Sequence, residues 1–79
     1  MVRAMLTRTE IVDQATGQLR GRGLPWTELP DQHGHVVLKV GSDQTAALLL
    51  PHTANPALIE MLVKNVHATI RAMREFAPC

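Results

Sequence analysis

His33-Gly34-His35-Val36-Val37-Leu38-Lys39-Val40 is the stretch on which the reading of this chain turns. Val36, Leu38 and Val40 alternate with His35, Val37 and Lys39, and a period of two sends the two sets to opposite faces of a sheet. One face is therefore core, and the other carries a His and a Lys. Upstream, Pro30-Asp31-Gln32-His33-Gly34 has turn chemistry. Before it, Leu24-Pro25-Trp26-Thr27-Glu28-Leu29 reads as a short strand that Pro25 makes an edge strand or opens with an irregularity. Trp26, the largest apolar side chain, is expected to anchor the core. Downstream, Gly41-Ser42-Asp43-Gln44 is a compact hairpin connection to Thr45-Ala46-Ala47-Leu48-Leu49-Leu50. The near-continuous apolar character of that run predicts a central strand, or one whose second face is covered by a partner. Pro51 stops it.

Two amphipathic segments flank this core. Thr7-Arg8-Thr9-Glu10 fits a capping box, with Leu6 placed to staple onto Ile11. Ile11, Val12, Ala15 and Leu19 then share one stripe, and Arg20-Gly21-Arg22-Gly23 closes the helix with the cations and glycines that suit a C-terminus. Asn55-Pro56 supplies an N-cap followed by Pro at the first helical position, opening the longest periodic segment. Ile59, Leu62, Val63, Val66, Ile70 and Met73 recur at helical spacing, with Leu58 and Met61 widening the stripe. The opposite side offers Glu60 and then Lys64, His67, Arg71 and Arg74 as a basic ridge.

The order helix, strand, strand, strand, helix predicts an α+β fold over residues 1–79 as one domain: a three-stranded antiparallel sheet with both helices on one face. His35, Val37 and Lys39 then lie on the face the helices leave open. Composition narrows the function. With 46% hydrophobic and 19% charged residues the chain is globular, while one Trp, one Phe and no Tyr make base stacking on aromatics a poor binding mode. Net charge is only +1, so attraction to nucleic acid must come from a local patch. The single cysteine, Cys79, permits no intrachain disulfide and points to a cytoplasmic setting. No apolar run approaches the roughly 18 residues of a membrane span.

The segment from Gly23 to Arg74 resembles the HicA-type toxins, small mRNA interferases with a double-stranded-RNA-binding-domain-like fold. That family carries Gly-Ser-His and alternating apolar residues at the start of its second strand; Gly34-His35-Val36-Val37-Leu38-Lys39 is similar, with Gly34 where the family has Ser. Leu50-Pro51-His52-Thr53 resembles the apolar-Pro-x-His pattern that ends the family's third strand, with the His one position early. The long last helix looks more like phage-encoded relatives of the same fold. The resemblance implies that His35 is the catalytic residue, that the substrate is RNA, and that an antitoxin covers the His35 face.

The chemistry this implies is metal-independent RNA cleavage: His35 takes the proton of a ribose 2′-hydroxyl, Lys39 stabilises the developing charge, and Lys64, His67, Arg71 and Arg74 hold phosphates. No cofactor is expected. The alternative is a non-catalytic phage or mobile-element module that binds a nucleic acid, a protein partner or a second copy of itself through the open sheet face or the last helix. A metal site from His33, His35 and His52 is a third arrangement, for which spacing places no carboxylate or Cys to complete a tetrahedron.

Overall fold

The computed structural model describes residues 5–76, and Cys79 lies outside them. Its elements run α1 (Arg8–Gly21), β1 (Trp26–Gln32), β2 (His35–Val40), β3 (Ala46–Pro51) and α2 (Pro56–Phe76). The strands form one antiparallel sheet in the order β1-β2-β3. Both helices pack on one face of it, as the element order predicts: Ile11, Ala15 and Leu19 of α1 and Ile59, Val63, Val66 and Ile70 of α2 share a buried cluster with Val36, Leu38, Val40, Leu48 and Leu50.

The helix ends form where the sequence places the caps. Thr7 and Glu10 make the reciprocal capping box of α1. Asn55 Oδ1 accepts the Leu58 N–H at 2.8 Å and starts α2. At the far end of α1, Gly23 takes a left-handed φ of 71° while its N–H reaches the Arg20 carbonyl and the Leu24 N–H reaches that of Leu19. These two bonds, with Leu24 and Leu19 both buried, make a Schellman closure that turns the chain back onto the sheet.

Three expectations are corrected. The first strand is longer than the turn chemistry implies: it continues through Pro30 and Asp31 to Gln32, and only His33-Gly34 turn. Leu29 pairs with Val37 and Gln32 with His35, so Pro30 and Asp31 together oppose Val36 in a bulge, which tolerates a residue without an N–H. His33 and Gly34 have φ of 52° and 76°, the all-left-handed two-residue loop that suits the twist of a hairpin. Second, β3 is an edge strand, and its apolar run is split between faces: Leu48 and Leu50 are buried while Leu49 is 50% exposed. Third, Met61 is 51% exposed and does not widen the buried stripe of α2. Trp26 is half-buried against the core, with the Arg20 guanidinium 5.6 Å from its ring centroid.

Among the described residues no helix is long and apolar enough to cross a membrane.

Candidate nucleic-acid interface

The chemistry-bearing side chains fall into three groups on different parts of the domain. The first is the seam between the helices. The Schellman closure fixes Arg22 at the end of α1, and its Nη1 stands 2.9 Å from Nδ1 of His67 on α2. His67, Arg71 and Arg74 recur at four and three residues on one helix face, so the contact to Arg22 sets that face against the end of α1. Burial first, and then the positive charges of Arg22, Arg71 and Arg74, hold His67 below the ordinary imidazole value. Lys64 continues the ridge but is paired with Glu60 at 3.2 Å, one turn earlier. Among the described residues, no carboxylate pairs with Arg22, Arg71 or Arg74. The ridge is therefore neutralised at its Lys64 end and bare at its Arg74 end. Arg22 belongs to this group although its sequence context assigns it only to the α1 dipole. The Gly23-Leu24 closure signal fixes where Arg22 sits, but nothing local announces a partner 45 positions away.

The second group is the open face of the sheet. The ladder places Thr27 and Ala47 beside Lys39, Leu29 and Leu49 beside Val37, and Pro51 beside His35. Val37 is only 5% exposed, yet it stands outside the helix-facing cluster, between Leu29 and Leu49 in the ladder. Lys39 is exposed and His35 half-buried. Their Cα atoms stand ~13 Å apart at the usual strand rise, with Val37 between them. The His35 ring is oriented by one contact, Nδ1 at 2.9 Å from the His33 carbonyl oxygen. A carbonyl only accepts, so Nδ1 is the donor here, and Nε2 is the ring nitrogen left as acceptor in the neutral tautomer. This group and the ridge do not form one surface, since Val36, Leu38 and Val40 of the same strand face the helices.

The third group ties the hairpin end of the sheet to α1. The bulge directs Asp31 toward the start of the helix, where Arg8 Nε and Nη2 bind its two oxygens at 2.9 and 2.7 Å. His52 Nε2 lies 2.7 Å from the same carboxylate, and Glu28 is 3.6 Å from Arg8. Hydrogen bonding from Arg8, reinforced by His52, holds the Asp31 carboxyl at about 2. No sequence motif marks this cluster, whose members are joined only by the β1 bulge and the end of β3. It also separates the three histidines of the metal arrangement: His35 engages the His33 backbone and His52 engages Asp31. Among the described residues, no three His, Cys, Asp or Glu side chains gather in a way that could hold a metal ion.

One open groove of about 280 Å³ runs between β3 and α2, lined by Ala46, Leu48, Leu62, Val66 and Thr69 among others. Compared with known proteins, the chain matches no family model, no curated protein and no solved structure.

Proposed function

We propose that this domain binds the phosphate backbone of RNA through the seam between its helices, using Arg22, His67, Arg71 and Arg74 with Lys64 at the margin. The observation that carries this reading is the meeting of Arg22 with His67 at 2.9 Å, on the helix face that Arg71 and Arg74 continue, with no carboxylate paired to these three arginines among the described residues. Such clusters are costly in self-repulsion unless an anion offsets it, and planar guanidinium forks match phosphate oxygens. With aromatics nearly absent from the chain, affinity has to come from backbone contacts, which duplex RNA offers through its shape and phosphates. RNA is preferred to DNA because the element order and the His35 strand resemble the HicA-type fold.

Gel shifts with duplex RNA, duplex DNA and single strands across a salt series test it. The expected result is a duplex-RNA complex that weakens steeply with salt and is lost in Arg71→Ala/Arg74→Ala. Equal shifts for DNA would widen the ligand class, and no shift with any nucleic acid would sink the reading.

A second reading has its own support in the orientation of His35. With Nδ1–H held on the His33 carbonyl, Nε2 of the neutral ring is the nitrogen that would serve as general base. In a HicA-like cleavage, Nε2 takes the proton of a ribose 2′-hydroxyl, the 2′-oxygen bonds to the adjacent phosphorus, and the bond to the 5′-oxygen breaks. That oxygen takes a proton from solvent, leaving a cyclic phosphate and a 5′-hydroxyl. Lys39, ~13 Å along the strand, would contact a neighbouring part of the backbone rather than the same phosphate. Expression of wild type and His35→Ala in bacteria, with growth and bulk mRNA integrity as readouts, decides it: equal growth and intact message in both would end the nuclease reading.

A further inference from the structure

Resting on the binding reading above, we infer that phosphate capture at the seam is proton-linked, with His67 taking up the proton and releasing Arg22 to the ligand.

The geometry of one contact dictates this. Arg22 Nη1 stands 2.9 Å from His67 Nδ1, and a guanidinium has donors but no acceptor. Nδ1 must therefore be the acceptor, so in the ligand-free domain His67 is neutral, with its only ring proton on Nε2. A doubly protonated imidazole has no lone pair left for Arg22, and the contact cannot survive protonation. Two states follow. In one, His67 is neutral and Arg22 is tied to it; in the other, His67 is cationic and both groups are free to donate to an anion.

The surroundings favour the first state only while the seam is empty. The groups that face His67 are Arg22 from α1 and Arg71 and Arg74 from its own helix, all cationic, and together with burial they disfavour the charged ring. β3, which packs along another side of α2, contributes no ionisable side chain, since Ala46–Pro51 is apolar throughout. A phosphate among these arginines cancels the repulsion and offers acceptors to Nδ1–H, Nε2–H and the released Arg22 fork. It thereby favours the imidazolium, and each phosphate bound at this position takes up as much as one proton from solution. The sign follows from linkage: affinity rises as pH falls through the His67 titration of the bound state, by at most about tenfold per pH unit, and levels off once free His67 is also charged.

The test is binding of a labelled duplex RNA by wild type, His67→Gln and Arg71→Ala/Arg74→Ala, measured at fixed ionic strength between about pH 5.5 and about pH 8, the range in which imidazole titrates. A Gln side chain can accept from Arg22 and donate to phosphate but does not titrate. Wild type is expected to bind about tenfold more tightly at the acid end, and His67→Gln is expected to lose that dependence on pH. The slope that counts is the one His67→Gln removes. An unchanged slope in His67→Gln overturns the proton linkage and leaves the binding reading standing. Loss of binding by all three proteins at every pH overturns both. A ring-proton titration of His67 by NMR with and without RNA gives a second readout: the midpoint is expected to rise on binding, and a midpoint that stays or falls refutes the inference.

Discussion

At the scale of single residues, two positions at the hairpin end of the sheet hold unusual states for which the neighbouring backbone or charge is responsible. His33 sits at a left-handed φ of 52°, where a side chain with a Cβ is strained and Asn is tolerated well. Its carbonyl, not its ring, holds the His35 imidazole. His33→Asn should therefore raise stability by about 0.5 kcal/mol in denaturant titration, in line with the preference of such loops for Asn-Gly, while leaving any His35 activity intact. Asp31 shows the complementary case. Its carboxyl is lowered from 3.8 to about 2, chiefly by the Arg8 hydrogen bonds, so the folded state holds its charge more tightly than the unfolded chain does. The stabilisation is present above the ordinary carboxylate value and is lost as pH falls through about 2. The thermal midpoint of wild type is expected to drop between these limits by more than that of Asp31→Asn. Parallel acid profiles for the two proteins would show that the cluster contributes nothing to folding.

At the scale of elements, the contrast between the two faces of the sheet sets what each strand residue is worth. Leu38 is fully buried between sheet and helices, whereas Leu49, on the open face, is half exposed. Leu38→Ala should cost about 3 kcal/mol through lost transfer energy and the cavity left behind, and Leu49→Ala about 1 kcal/mol or less. Urea unfolding of both variants checks this, and a Leu49→Ala cost as large as that of Leu38→Ala would mean that the open face is covered in solution. The same contrast explains what could be read from the chain. Alternation in Val36–Val40, the Thr7–Glu10 capping box and the Asn55-Pro56 start of α2 are local signals, each written in adjacent residues, and each sits where the sequence puts it. The extent of β1 was hidden because Pro30 and Asp31 look like a turn, and only pairing with β2 turns them into a bulge. The edge position of β3 was hidden too, since Ala46–Leu50 reads as buried until the ladder shows which alternate residues the helices cover. The ridge on α2 was legible from spacing. Its meeting with Arg22 was not, because that contact joins helix ends far apart in the chain.

At the scale of the whole molecule, two layers keep the chemistry on separate surfaces. Lys39 and His35 belong to the sheet face that no helix covers, and Arg22, His67, Arg71 and Arg74 belong to the helix layer. The proposed backbone binding and the proposed His35 chemistry therefore lie on different faces and are separable by substitution. This matters because the net charge is +1, and reversing any one cation changes that net charge by the same amount wherever it lies. Arg71→Glu and Lys39→Glu are thus matched in charge and differ only in face. If the seam is the docking surface, Arg71→Glu should weaken duplex-RNA binding at least about tenfold and flatten its salt dependence by about one phosphate contact, while Lys39→Glu changes affinity by less than about twofold. Equal losses in the two variants would mean that long-range charge, not the seam, attracts RNA. A loss confined to Lys39→Glu would move the ligand to the sheet face, beside His35, and would favour the cleavage reading over the binding one.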